Sequence, residues 1–116
     1  MEKAHDILGK RLDNRKKLEE AAPDLFHGFN DLMKRYYKPG AIDRRGKELM
    51  AITASIATRC APCLANHLSN AISAGATKEE IFEAAAIGVE FGGGPSFVLV
   101  RDSLIPFYEE LSTGGK

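Results

Sequence analysis

The chain has 116 residues, 44% of them hydrophobic, and its 16 Lys and Arg are balanced by 16 Asp and Glu to a formal charge of zero. That length predicts a single domain, 1–116, with a real but small core, and the charge balance leaves no strongly basic surface to draw it to nucleic acid or anionic lipid. No run approaches the roughly 20 apolar residues of a membrane span, and MEKAHDILGK has no apolar secretory-signal core, so a soluble, cytoplasmic protein with neither membrane nor nucleic-acid partner is expected.

The apolar period is helical nearly everywhere. Ile7, Leu8 and Leu12 begin a charged first helix running towards Leu18. Its segment KRLDNRKK, residues 10–17, reads as a solvated face, because the acids of LEE follow at once. Pro23 suits the first turn of a second helix, which sets Leu25, Phe26, Phe29, Leu32, Met33 and Tyr36 on one face. Lys34, Arg35 and Lys38 fit the negative end of that helix, and Pro39-Gly40 stops it. His5 and His27 read as packed or surface side chains.

A third helix follows Asp43 and carries Leu49, Met50, Ile52, Thr53 and Ile56. A fourth runs from about Cys60 to Ala74 on the stripe Leu64, Leu68 and Ile72, with Gly75 as its stop. Thr77-x-x-Glu80 is a capping box opening a fifth helix, whose Ile81, Phe82, Ala85 and Val89 face inward. The run GGGP at 92–95 breaks that helix; with no P-loop lysine and no strand before it, it does not read as a phosphate cradle. Glu90 is a candidate buried acid beside the break. Residues 96–111 form a last helix with a kink at Pro106, and STGGK frays. The fold is all-α, with about six helices.

RCAPCLANHL, residues 59–68, holds both cysteines and one of the three histidines. On a helix Cys60, Cys63 and His67 form one stripe, close enough for two sulfurs to bond and for an imidazole to reach a thiol. The helix start and Arg59 favour a thiolate there. Pro62 in the first turn loses little by lacking an N–H. If the third and fourth helices form an antiparallel hairpin turning at Thr58 and Arg59, Glu48 lies opposite His67. It does not lie against Cys60, because twelve residues of straight helix span about 18 Å. The order of contacts is then Glu48 to His67 to Cys63, the acid orienting an imidazole that takes the thiol proton. Only Cys63 is one turn from this base, so Cys63 is the candidate attacking sulfur. Cys60, nearer the helix start, is expected to be the exposed sulfur that an external reductant meets first.

Glu48, eleven intervening residues, Cys60-x-x-Cys63 and then His67 resemble the signature of the AhpD-like alkylhydroperoxidases of the carboxymuconolactone decarboxylase superfamily. EAAAIGVEFGGGPSFVLVRDSL, residues 83–104, is similar to the helix, glycine break and helix that follow the signature there. The resemblance covers about residues 40–106 and implies an AhpD-like helical fold whose core hairpin carries the Cys-x-x-Cys pair. It also implies a homo-oligomer, often a trimer or hexamer, that reduces hydroperoxides with thiols.

Carried over, Cys63 resembles the peroxide-attacking cysteine, Cys60 the resolving one, and His67 with Glu48 the proton relay. No cofactor is implied beyond the redox-active Cys60–Cys63 disulfide. The implied partners are a hydroperoxide and a dithiol or a thioredoxin- or lipoyl-type protein reductant. Pro62 stands where some members carry a histidine, a departure that bears on peroxidase strength. The superfamily's lactone decarboxylases lack the cysteine pair, which argues against decarboxylation here. Two rival expectations are a non-enzymatic redox-sensing or interaction module and a zinc site built on Cys60, Cys63 and His67.

Overall fold

The computed structural model describes residues 2–113. Among them there is no strand, and the helices are α1 (Ala4–Ala21), α2 (Pro23–Tyr37), α3 (Arg44–Ala57), α4 (Ala61–Ser73), α5 (Lys78–Gly92), α6 (Gly94–Leu99) and α7 (Ile105–Ser112). A π-helical turn, Val100–Leu104, joins α6 to α7 without a gap, so residues 94–112 form one continuous rod and the described residues make six rods. Just ahead of Pro106, where a kink is expected, Ile105 N–H reaches back to the Val100 carbonyl. The π turn absorbs the break in the hydrogen-bond ladder that proline imposes. Ser112 still belongs to α7; the tail expected beyond Thr113 lies outside the described residues.

The hairpin of α3 and α4 is central. Ile52 and Ile56 from α3 and Leu64 and Leu68 from α4 are fully buried, joined by Ile81 of α5 and Leu104 of the π turn. Asp43 caps α3 by accepting from Gly46 N–H at 2.7 Å, the role an acidic N-cap plays. The turn expected at Thr58 and Arg59 is a Schellman motif: Cys60 N–H donates to Ser55 O and Arg59 N–H to Ile56 O. Arg59 sits in the left-handed region at φ 56°, where glycine is the usual residue. Its side chain gives the reason for the exception, since Nη1 donates to Gly92 O at 3.2 Å and ties the turn to the end of α5. The same motif closes α4 at Gly75, φ 90°, and the Thr77–Glu80 capping box opens α5 as expected.

Helix α5 lies so close to α3 that a Cβ on Gly88 would stand 2.6 Å from Thr53 O and 2.8 Å from Ile56 Cβ. Thr53 Oγ1 uses this proximity to donate to Ala84 O at 2.8 Å. Gly88→Ala should therefore force the two helices apart and lower stability by about 1–3 kcal/mol. A denaturation midpoint that falls with unchanged slope would report it; an unshifted midpoint would mean the helices separate without penalty.

Helix α1 is held at its start by α7, where Glu110 accepts from the Ala4 and His5 N–H groups at 2.9 Å each. Its inward face differs from the expected one. Ile7 is buried but Leu12 is 61% exposed. Helix α2 buries no residue completely: Leu25, Phe29, Leu32 and Tyr36 are all exposed. Met50 on α3 is exposed too. Among the described residues no helix is long and apolar enough to cross a membrane.

Candidate active site

Cys60 is the N-cap of α4 and Cys63 the third residue of the helix, with Pro62 between them in the first turn. Cys60 Sγ accepts from Cys63 N–H at 3.2 Å, doing with sulfur what serine or aspartate usually does with oxygen. The two sulfurs are joined as a disulfide across a Cα–Cα distance of 5.3 Å. The fold thus holds the pair at bonding range.

One turn further along α4, His67 Nδ1 lies 2.8 Å from Glu48 Oε1 on α3. The antiparallel hairpin brings together residues 19 positions apart, as the sequence pattern predicts. The Glu48 side chain is 3% exposed and that of His67 13%, so the pair lies at the edge of the core rather than in water. An ionised carboxylate only accepts, so beside one Nδ1–H donates to Oε1, and Nε2 is the ring nitrogen left facing away from Glu48. The Tyr37 ring, at the end of α2, stacks on the imidazole with centroids 5.5 Å apart and planes within 16°. Burial, and then the negative charge of Glu48, push the Tyr37 phenol above its ordinary pKa. Lys47, next to Glu48, anchors this end of α2 by donating to the Tyr36 and Lys38 carbonyls at 2.9 and 2.6 Å.

Cys63 and His67 open into a cavity of about 530 Å³, within the range of small-molecule sites. Pro62 and Asn66 complete the part built by α4, and the opposite wall comes from α1 and α2. Leu18, Leu25, Phe26, Phe29 and Met33 make that wall apolar. Arg11, Arg15 and Asn30 make it polar at one place. Arg15 Nη2 donates to Asn30 Oδ1 at 3.3 Å, and its guanidinium stands 4.9 Å from the centre of the Phe26 ring.

Several expectations are corrected here. Cys63 is exposed and lines the cavity, whereas Cys60 is the more covered of the two and does not line it. The expected order of exposure is reversed, because Cys60 caps the helix while Cys63 points from its first turn into open space. Of residues 10–17 all but the half-buried Arg15 are exposed, as expected of a solvated face, and Arg11 and Arg15 also border the cavity. Arg59 Nη1 donates to Gly92 O, which fixes the guanidinium at the end of α5 and leaves its charge in place. Glu90 is exposed, since it lies on the outer side of α5 opposite Gly88 and Val89. His27 pairs with Glu19 at 3.2 Å and His5 with Glu110 at 3.3 Å, both at the surface. Among the described residues no group of three or more His, Cys, Asp and Glu side chains is arranged to hold a metal ion.

Tyr37, Asn66 and the two arginines were not singled out by sequence reasoning. Arg11 and Arg15 follow Ile7 at helical spacing, on the side of α1 that runs along the cavity to Leu18.

A sequence model of the carboxymuconolactone decarboxylase family matches residues 23–102. The chain is 32% identical over 90 residues to an uncharacterised protein of Cupriavidus necator, a match spanning 78% of this chain and 80% of that one. It is 30% identical over 104 residues to uncharacterised protein 4 in the cox locus of Paracoccus denitrificans, spanning 90% and 87%. Among solved structures it is similar to an apo carboxymuconolactone decarboxylase family protein of Legionella pneumophila. That match has a TM-score of 0.86 and 32% identity, covering 94% of this chain and 96% of the other. It is also similar to a Thermotoga maritima protein of that family with a suggested involvement in antioxidative response, with a TM-score of 0.81, 29% identity and coverage of 95% and 96%.

Proposed function

The chain belongs to the carboxymuconolactone decarboxylase family, and we propose that within it the protein is a thiol-dependent peroxidase of the AhpD-like type. The observation that supports this reading best is the continuous order Glu48, His67, Cys63, with a 2.8 Å contact between the first two and Cys63 open to the cavity. In the reduced protein His67 Nε2 takes the Cys63 proton, while Glu48 stabilises the resulting imidazolium. The Cys63 thiolate attacks the outer oxygen of the hydroperoxide, the O–O bond breaks, and His67 returns the proton to the departing alkoxide. Cys63 is now a sulfenic acid and the product is an alcohol. The Cys60 thiol condenses with the sulfenic acid, water leaves, and the Cys60–Cys63 disulfide of the structure results. A dithiol reductant, free or carried by a thioredoxin- or lipoyl-type protein, attacks the disulfide and leaves as a disulfide itself. A reducing compartment such as the cytoplasm suits that last step.

The test is turnover. Reduced protein supplied with tert-butyl hydroperoxide and excess dithiol should consume both in equal amounts over many cycles, and peroxide alone should remove two hydrogens per chain without cross-linking chains. One round of oxidation with no turnover, whatever dithiol is supplied, would leave a redox-sensing module in place of an enzyme.

We also propose that the working form is a homo-oligomer. Tyr36 on α2, Met50 on α3 and Ile87 on α5, with Phe91 and Phe97 around the glycine break, expose more large apolar area than isolated surface residues normally do. Sedimentation at micromolar concentration should give a multiple of 12.6 kDa. A mass equal to one chain would contradict it.

A further inference from the structure

We propose that the cavity over Cys63 binds an amphiphilic carboxylate: an apolar chain along the α2 wall, its anionic end held by Arg11 and Arg15. The peroxidase reading then gains a substrate class, organic hydroperoxides bearing a carboxylate, and only that extension rests on the reading; the anion site stands on observations of its own.

Arg11 and Arg15 are four residues apart on α1 and both line the cavity, so two positive charges face the same space. Among the described residues neither forms an ion pair, nor do Arg44 and Arg59, while Arg35, Arg45 and Arg101 are paired with Asp31, Glu80 and Asp102. Arg15 is oriented by neutral groups, the Asn30 amide oxygen and the Phe26 ring, which fix the guanidinium without cancelling its charge. Burial, and then repulsion from Arg15, lower the pKa of Arg11. Both effects disfavour its charge, and an anion between the two guanidiniums would relieve both.

The remainder of the cavity narrows the class. Leu18, Leu25, Phe26, Phe29 and Met33 give an apolar lining unsuited to hydrogen peroxide or a small inorganic anion. The arginine pair has no use for a plain alkyl hydroperoxide. A chain of moderate length ending in a carboxylate satisfies both parts, with bidentate geometry available at the guanidiniums. Both arginines precede residue 23, where the family match begins, so the anion site falls outside the matched segment.

The experiment uses the disulfide form of the whole chain in whatever assembly it adopts, with decanoate and 1-decanol as matched probes followed by calorimetry. Decanoate should bind once per chain and at least about tenfold tighter than decanol, the difference expected from charge-assisted bonds. Arg11→Gln with Arg15→Gln should abolish that preference while decanol affinity stays constant, which also reports an intact cavity. Arg11→Lys with Arg15→Lys should keep most of it.

In turnover, a carboxylate-bearing lipid hydroperoxide should exceed its methyl ester about tenfold in kcat/KM, and the ratio should fall towards one in the double Gln variant. Equal binding of decanoate and decanol, or decanoate binding unaffected by the double Gln change, overturns the anion site. An acid-to-ester ratio near one in a protein that still reduces tert-butyl hydroperoxide overturns the substrate class and leaves the peroxidase reading intact. Arginine-dependent decanoate binding in a protein that reduces no hydroperoxide supports the anion site and removes the peroxidase reading instead.

Discussion

Cys60→Ser protein should consume one equivalent of hydroperoxide and hold it as a sulfenic acid on Cys63, at a rate close to that of the unaltered chain. Cys63→Ser protein should react about a hundredfold more slowly or worse, the loss expected when a nucleophile has no positioned acid and base. The asymmetry follows from the start of α4. Cys63 shares the cavity with His67 one turn away, whereas Cys60 is turned back as the N-cap and lines no part of it. Serine at 60 keeps a good cap oxygen for the Cys63 N–H, so the helix start survives and the comparison reports chemistry rather than folding. Labelling with a sulfenate-specific reagent decides between them: a Cys63→Ser protein labelled on Cys60 at the unaltered rate would exchange the two roles.

Glu48 should separate the two tasks of the relay. Glu48→Gln keeps an acceptor for His67 Nδ1–H but removes the charge, and Glu48→Ala removes both. Each should slow thiol oxidation near neutral pH, by about tenfold to a hundredfold, with Ala the worse. As pH rises past the ordinary cysteine pKa of about 8.5 the thiol ionises unaided, so the gap to the unaltered protein should shrink. What remains at alkaline pH measures the proton delivered to the leaving oxygen. Stability should fall as well, by about 1–3 kcal/mol for Glu48→Ala, because a half-buried imidazole N–H loses its partner. A variant with the full rate at neutral pH would remove Glu48 from the relay even if it were less stable.

The parts of this molecule legible in its sequence are those fixed by contacts between near neighbours. Thr77 and Glu80 name a helix start because both halves of the capping box lie within one turn. Glu48 could be set against His67 because the turn at Thr58–Arg59 is short, which leaves an antiparallel hairpin only one register. The wall formed by α1 and α2 had no such local signature. Its place over Cys63 depends on the Glu110 clasp at the start of α1 and on Lys47 at the end of α2, both made by side chains distant in sequence or hidden among ordinary charges. Arg11 and Arg15 lie on the exposed face that their charge announces, and only the placing of α2 beside them makes that face a cavity wall. The cysteine exposure was reversed because helix-dipole reasoning ranks positions along the axis and is silent about which side of the turn faces open space.

Helix α2 buries none of its residues completely, whereas Ile52, Ile56, Leu64 and Leu68 of the hairpin are wholly enclosed. Shortening one of those four to alanine would cost about 2–5 kcal/mol, enough to threaten a small domain. Changing Leu25 or Phe29 draws far less on the folding energy of the single chain, since exposed positions usually tolerate substitution within about 0.5 kcal/mol. Selection can therefore rewrite the lining of the cavity while the thiol–imidazole–carboxylate hairpin stays fixed. Descendants of this chain are free to diverge in what they accept long before they diverge in what they do to it.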